Sequence, residues 1–522
     1  MSSEINKGMV RICSNYGRLT ATVVIGIALV KAQFTLFGDA GFGVLSLIGA
    51  SIGFGAMFQD LIRRSLIREL GAAWHAPEPA VFASVYNSAF VVSGAMSVLS
   101  LLAFGAIMAI IQLMRVPDEF ATSVVVYLGA EGAFTFLLVL LAPAFNMYVV
   151  AERFIAYNLW VALHRSSYLA AALIMIIAGD DLTPGATMMY YIIAAVSFNT
   201  VMLFAFVINL LIRDHRLIPR PSMIDRGAVR EIAHTSSWNN AVIIGMNLHE
   251  RIAPFIINAF FGPIGNAIWG VAFRLVSYVR MLTLGMTFGV DAVSTRLSAD
   301  EDSNKLLTLT RHSTRLHAMA AIPSALAVFV LADPIYRLWL GRNIQNTEQI
   351  IPAAVLMVRI LVLGSASRAI SDSWIRILYG AGHIRRYAPV VLIGGIFNPL
   401  LTVGLIFLLP DSISLNAPAL AFTLILTVAH LILLPAVGAP CLGVRLRDML
   451  SPIAKPAVVA LLASVVPIAA EASIERWTLP LLAATGLAFG AVYGLLAYAL
   501  ILSSPERRRL TGLVVSRLRR AG

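Results

Sequence analysis

The chain has 522 residues, of which 59% are hydrophobic and only 13% charged, and its mean hydropathy is +0.84. This composition excludes an ordinary soluble domain and indicates a protein embedded in a membrane. A formal net charge of +12 would fit nucleic-acid binding, but basic residues of a membrane protein are first expected in cytoplasmic loops. Cys13 and Cys441 lie near opposite ends of the chain, so they predict neither a disulfide framework nor a metal site.

Apolar runs of about 20 residues predict about fourteen membrane-spanning helices. The first six form an N-lobe over 1–212, and a cytoplasmic amphipathic linker over 213–237 separates them from a C-lobe over 238–440. Two further spans occupy 441–502, and a basic cytoplasmic tail over 503–522 follows them. The predicted spans are 16–37, 42–62, 83–113, 120–148, 154–178, 186–212, 238–261, 265–290, 315–332, 350–372, 387–409, 416–440, 453–470 and 478–502.

Most of the 39 lysine and arginine residues fall in loops on one side of the predicted spans, and few fall in loops on the other side. This asymmetry predicts that the basic side is cytoplasmic and that both termini lie there, which requires an even number of spans. The basic excess is therefore explained by topology, and nucleic-acid binding is not expected.

Two short sequence matches indicate an internal repeat. Residues 37–41, at the outer turn between the first two spans, match 261–265, at the outer turn between the seventh and eighth. Residues 151–153 correspond in the same way to 382–385, at the cytoplasmic ends of the fourth and tenth spans. Because six is an even number, the two copies share one orientation, which predicts a pseudo-two-fold axis along the membrane normal.

Several charged residues lie near the middle of predicted spans, where a charge costs a few kcal/mol and normally faces water or protein. They are Glu131, Arg165, Glu250, Arg251, Arg274 and Arg359. Because most of them are arginines and they come from both halves of the chain, the sequence predicts a cationic interior that holds an anionic cargo.

The seventh predicted span carries a polar stripe, because Asn240, Asn247, Arg251 and Asn258 fall within about 60° of one another on a helix. Amides recognise sugars and a guanidinium recognises phosphate oxygens, so this face is a candidate cargo-binding surface. The alternative is that the amides hydrogen-bond neighbouring helices and hold the bundle together. The other candidate cavity residues are Arg165, Arg274, Tyr278 and Arg359.

Two acidic residues lie at the same depth. A carboxyl in this position can carry a proton, so Glu131 or Glu250 could couple transport to an ion gradient. They could equally be fixed counter-charges to Arg165 and Arg251. No residues have catalytic spacing, and the longest outward loop, about 333–349, is too short for a polymerase or ligase domain, so we expect neither an enzyme nor a cofactor.

The outer turn over 37–46 resembles the first signature of the polysaccharide-export flippases. These proteins belong to the multidrug/oligosaccharidyl-lipid/polysaccharide exporter superfamily. The stretch 248–252, followed by 260–262 and 272–275, resembles the second signature. In order and spacing the resemblance covers about residues 10–440.

This resemblance implies two lobes around a cavity that opens alternately to either side of the bacterial cytoplasmic membrane. The implied cargo is an undecaprenyl-pyrophosphate-linked oligosaccharide for O-antigen, capsule or exopolysaccharide, and the implied partners are membrane lipids, a polysaccharide polymerase and a chain-length regulator. Arg251 and Arg274 match signature positions, whereas Glu250 replaces the more usual aspartate, which leaves its coupling role open. A peptidoglycan-precursor flippase and a cation-coupled multidrug exporter of the same fold are the alternatives, and the arginine excess argues against the exporter.

Overall fold

The computed structural model of the chain describes residues 2–178, 181–234, 237–284, 286, 290–299, 303–508 and 511. Within these residues the protein is all-helical, which confirms the predicted fold class. Most of the predicted basic tail over 503–522 lies outside the described residues, so its expected conformation stays a prediction.

The α-helices are numbered in chain order. They are α1 Ser2–Trp74, α2 Pro79–Ile111, α3 Asp118–Leu140, α4 Ala142–Val150, α5 Phe154–Ala178, α6 Pro184–Arg213, α7 Arg226–His234, α8 Ser237–Arg251, α9 Ala253–Leu284, α10 Val290–Ala299, α11 Ser303–Leu340, α12 Thr347–Gly380, α13 Ile384–Leu408, α14 Asp411–Ser414, α15 Ala417–Thr427, α16 Leu434–Cys441, α17 Leu446–Ala463, α18 Val465–Ser473 and α19 Leu479–Leu500.

Twelve helical runs in the described part of the chain are long and apolar enough to cross a membrane, so the protein is a multi-pass membrane protein. One run, Gly17–Trp74, has 58 residues and another, Trp238–Met281, has 44. At 1.5 Å per residue the longer run would measure roughly 87 Å as one straight helix, far more than a bilayer core of about 30 Å. Both runs are interrupted by a glycine with non-helical backbone angles, so they supply two spans each and account for the fourteen predicted spans.

The two interrupting glycines have the same backbone conformation. Gly38 has φ +63° and ψ −169°, and Gly262 has φ +72° and ψ −166°. A positive φ of this kind suits glycine because it lacks a Cβ. Three positions later, Gly41 and Gly265 each pack against the phenylalanine that precedes the turn, where an added Cβ would come within 2.6 Å and 2.8 Å of that side chain. The two outer turns matched in sequence are therefore alike in local structure.

The second pair of matched segments also shares a conformation. α4 and α12 are each followed by a residue of positive φ, which is Glu152 (φ 56°) after α4 and Gly382 (φ 82°) after α12. The next residue donates its N–H to a carbonyl five positions earlier, at 2.7 Å for Arg153 and 2.8 Å for His383. This hydrogen bond defines a Schellman helix end, so both helices end in the same way.

The chain forms two compact units. The first contains 1–272, 342–354 and 388–422, and the second contains 273–341, 355–387 and 423–522. In the first unit Tyr86, Tyr191, Phe34, Phe42 and Phe104 are among the largest fully buried side chains. In the second unit the buried Trp374 donates to the hydroxyl of Thr314 at 2.7 Å. The predicted division into an N-lobe and a C-lobe stays a prediction.

Candidate functional site

The seventh predicted span is broken in its middle. α8 ends at Arg251, Ile252 is a bend, and α9 begins at Ala253. Pro254 explains the break, because it has no N–H to offer the carbonyl of Glu250 and its ring opposes that carbonyl. The carbonyl of Ile252 then accepts the first hydrogen bonds of α9, at 3.1 and 3.4 Å. The start of α9 therefore lies near the middle of the predicted span, and the positive end of a half-helix in such a place attracts an anionic group.

Arg251 stands at this break. Its side chain is half-buried, and its Nε is shielded from solvent with no hydrogen-bond partner among the described residues. Its guanidinium lies against the backbone of α1 at Gly53, where an added Cβ would come within 2.3 Å of Nη1 and 2.4 Å of Cζ and Nε. A Cβ at position 53 would therefore displace the guanidinium. A charge-bearing group in this position, without an ion pair in the described part of the chain, is suited to bind an anion.

α8 is held tightly against α13. An added Cβ on Gly395 would come within 2.4 Å of the carbonyl oxygen of Gly245, so the two backbones touch. One turn further along α8, the buried His249 lies with its Nδ1 3.1 Å from the side-chain nitrogen of Asn398. These contacts fix the backbone of α8, the helix that ends at Arg251.

The amides of the predicted polar stripe have different surroundings. Asn258 is fully buried, and its side chain accepts from the N–H of Arg115 at 2.8 Å and donates to the carbonyl of the same residue at 3.4 Å. Asn258 thus holds the turn between α2 and α3, as the helix-holding alternative proposes. Asn247 donates to the carbonyl of Ile243 in its own helix at 2.9 Å, and Asn240 is half-buried. A cargo-binding role for Asn240 and Asn247 stays a prediction.

Glu131 is buried at the centre of a polar network. Only 1% of its surface is exposed, and the hydroxyl of Tyr168 donates to its Oε1 at 2.7 Å. Tyr191, which accepts from Gln33 at 3.1 Å, and Tyr127 lie in the same region, with their ring centroids 6.4 Å apart. These side chains come from four helices, which is why the periodicity of any one helix could not predict the network.

Glu131 forms no ion pair with a described residue, so the structure gives it no cationic counter-charge. The side chain of Arg165, its expected partner, is exposed. Glu250 is half-buried next to Arg251 in the sequence. Of the two acidic residues, Glu131 is therefore the one placed in an apolar and tyrosine-lined environment.

Three predicted cavity residues belong to the second unit. Arg274 and Arg359 are half-buried, and Tyr278 is 9% exposed. Arg359 donates from Nε to the carbonyl of Phe329 at 2.9 Å, lies over the ring of the same residue at 5.7 Å, and has its Nη2 3.6 Å from the carboxylate of Glu471. Arg359 is therefore partnered by carbonyl, ring and carboxylate groups, whereas the side chain of Arg274 has no hydrogen bond or ion pair with a described residue.

Comparison with known proteins defines the class of fold. The MatE family model matches residues 243–403, a stretch that contains Arg251, Arg274 and Arg359. No curated protein matches the chain by sequence. Among solved structures, the lipid II flippase MurJ in an inward closed conformation has a TM-score of 0.70 and 12% identity, over 94% of this chain and 98% of that one.

Two further solved structures are also similar. An inward-facing multidrug resistance MATE transporter of the MOP superfamily has a TM-score of 0.56 and 16% identity, over 89% of this chain and 96% of that one. A MOP superfamily transporter from Pyrococcus furiosus, described by the reverse polarity of its binding pocket, has a TM-score of 0.53 and 14% identity, over 90% and 96% of the two chains. The chain therefore has the fold of the MOP-superfamily transporters.

Proposed function

We propose that this protein is a flippase, which moves a saccharide linked by pyrophosphate to a polyprenyl lipid from the cytoplasmic to the periplasmic leaflet by alternating access. The observation that carries the proposal is the guanidinium of Arg251, which lies at a helix break near the middle of a predicted span without a partner among the described residues. An uncompensated charge at this depth is expensive, so it is retained where a ligand of opposite charge visits.

An anionic group such as pyrophosphate fits this position better than a neutral sugar does. A guanidinium binds phosphate oxygens through two parallel hydrogen bonds, and the positive end of the α9 dipole favours an anionic group at the same place. The sugar then contacts the polar face of α8, and the lipid tail remains in the bilayer. Arg274, Tyr278 and Arg165 are further candidate contacts that rest on the sequence alone.

The resemblance of residues 37–46 and 248–275 to the polysaccharide-export flippases favours an oligosaccharide for O-antigen, capsule or exopolysaccharide as the cargo. A polysaccharide polymerase and its chain-length regulator would then act on the flipped product in the same membrane. The likeness to MurJ supports a peptidoglycan precursor as the second candidate, because that cargo carries the same pyrophosphate. A cation-coupled drug exporter is the least favoured candidate, because the charge of Arg251 would repel a cationic drug.

Glu131 is our candidate for ion coupling. A buried carboxyl that has one tyrosine hydroxyl and no ion pair with a described residue gains from a bound proton or metal cation, which supplies the missing positive charge. Binding and release of that ion on opposite sides of the membrane would bias the direction of transport.

The test is transport by the purified chain in proteoliposomes. Three cargoes are supplied: an undecaprenyl-pyrophosphate-linked oligosaccharide, a peptidoglycan lipid precursor and a cationic dye. Arg251→Ala should reduce flipping of the preferred lipid at least about tenfold, and Arg251→Lys should retain part of it because an ammonium cannot bind in a bidentate manner. Arg342→Ala, which removes an exposed arginine of the loop before α12, is the matched control. Unchanged flipping by Arg251→Ala, or transport of the dye alone, would end the proposal.

A further inference from the structure

Residues 214–234, which follow α6, form a segment with an ordered local structure. It contains two short 3-10 turns, His215–Leu217 and Pro221–Met223, followed by the nine-residue helix α7. It belongs entirely to the first compact unit. It joins the predicted cytoplasmic ends of two spans, so the predicted topology puts it at the membrane surface.

Three consecutive residues of α2 hold this segment in place. The hydroxyl of Tyr86 donates to the carbonyl of Leu217 at 2.8 Å, and the side chain of Asn87 accepts from the backbone N–H of Arg220 at 2.5 Å. The hydroxyl of Ser88 both accepts from the N–H of Asp225 at 2.9 Å and donates to its carbonyl at 3.1 Å. The segment is therefore fixed to the first turns of α2, near the predicted cytoplasmic start of that span.

The segment has an inner and an outer apolar set. Leu217 and Ile232 are each only 2% exposed, because they point toward the rest of the unit. Ile218, Met223 and Ile224 are each 43% exposed, although they are close to the inner set in sequence. Large apolar side chains on a surface that is anchored and ordered indicate an interaction surface.

Arginines accompany the exposed apolar side chains. Arg216 already has partners within the chain: it donates to the carboxylate of Asp214 at 2.7 Å, and its guanidinium lies 4.6 Å from the ring centroid of Trp74. The hydrogen bonds from Arg216 lower the pKa of the Asp214 carboxyl, which keeps that pair charged. Four other arginines are exposed and form no ion pair with a described residue; they are Arg213, Arg220, Arg226 and Arg230.

We infer that residues 213–234 form a binding surface for anionic phospholipids of the cytoplasmic leaflet. The exposed side chains of Ile218, Met223 and Ile224 enter the boundary between headgroups and acyl chains, and the four unpaired arginines bind lipid phosphates. A basic surface with apolar side chains, held at the membrane level, matches an anionic bilayer in both charge and chemistry. This surface is independent of the cargo site, so the inference stands or falls separately from the proposed function.

The experiment uses the full chain in nanodiscs of phosphatidylcholine alone or with phosphatidylglycerol, and it measures hydrogen exchange of peptides within 215–234. Each arginine near an anionic surface contributes about a fivefold effect, so phosphatidylglycerol should slow exchange at least about fivefold. The double variant Arg226→Gln/Arg230→Gln should lose most of this protection. The charge-matched control Arg385→Gln/Arg386→Gln, at the exposed start of α13, should keep it.

A second variant separates the apolar contribution. Ile224→Ser keeps every charge and replaces an exposed side chain, so it should fold and yet reduce the protection given by phosphatidylglycerol. Equal exchange of the wild-type segment in the two lipids would overturn the inference and would leave a soluble protein as the partner of this surface. Equal loss of protection in the two double variants would also overturn it, because the effect would then reflect net charge alone.

Discussion

The carboxylate of Asp39 accepts hydrogen bonds from the backbone N–H of Asn346 at 2.9 Å and from its side-chain nitrogen at 3.1 Å. The N–H of Gln345 adds a third bond at 3.2 Å. Asp39 directly follows the glycine turn of α1 and is only 2% exposed, whereas Asn346 immediately precedes α12. A carboxylate on one outer turn therefore caps the N-terminus of a helix that lies more than half the chain away.

Removal of this cap should destabilise the protein. Asp39→Ala leaves the N–H groups of Gln345 and Asn346 without their acceptor, which costs about 1–3 kcal/mol. The measurement is the melting temperature in detergent, which should fall. Glu348→Ala is the matched control, because Glu348 is an exposed acidic residue in the first turn of α12. If the two variants melted at the same temperature, the cap would have no structural importance.

The contact between Gly53 and Arg251 predicts a sensitive position on α1. Gly53→Ala puts a methyl group where the guanidinium lies, so Arg251 must move and flipping should fall at least about tenfold. Gly49→Ala is the control, because a Cβ added one turn earlier on the same helix meets no atom within 4 Å. The two rates are compared in proteoliposomes at equal protein content. A rate for Gly53→Ala equal to that of Gly49→Ala would show that the position of the guanidinium is unimportant.

Glu131 should govern the response to an ion gradient. Glu131→Gln keeps a group that can accept from Tyr168 but cannot bind a proton, so flipping should continue without acceleration by an imposed proton or sodium gradient. The rate is measured with and without the gradient, in the variant and in the wild type. Glu119→Gln, at the start of the same helix, is the control. A gradient response that survives in Glu131→Gln would remove Glu131 from the coupling mechanism.

The residues after α19 contain a carboxyl with an unusual pKa. Partial burial raises the pKa of Glu506, but bonds from the N–H and hydroxyl of Ser503 and the adjacent guanidinium of Arg315 outweigh this effect and lower it to about 2. A lowered pKa stabilises the folded state above the ordinary value near 4.5, and this contribution is lost as the pH falls toward 2.

Glu506→Gln should therefore lower the melting temperature at pH 7, and the difference from the wild type should shrink as the pH is brought below 4.5. Melting curves of both proteins over this pH range provide the measurement. Glu475→Gln, an exposed residue of the turn before α19, is the control. A difference between wild type and Glu506→Gln that grew on acidification would have the opposite sign and would contradict the assignment.

The sequence predicts features that depend on neighbours along the chain. Apolar runs identify the spans, and the glycines at 38 and 262 identify the outer turns, because backbone conformation there depends on a single residue type. The break in the helix after Arg251 was not predicted, although Pro254, three residues later, is the kind of residue that interrupts a helix.

Contacts between distant helices could not be read from the sequence in the same way. Helical periodicity places Asn258 and Arg251 on one face of a helix. It does not show that Asn258 contacts Arg115, or that Arg251 lies against Gly53. It equally cannot show that Glu471, from the added spans, reaches Arg359. Such pairings depend on which helices become neighbours, and only the folded chain supplies that information.

The crossing of Gly245 and Gly395 has a mechanical consequence. Because their backbones already touch, no side chain separates α8 from α13 at this level, so any group larger than hydrogen at position 245 or 395 would force the two helices apart.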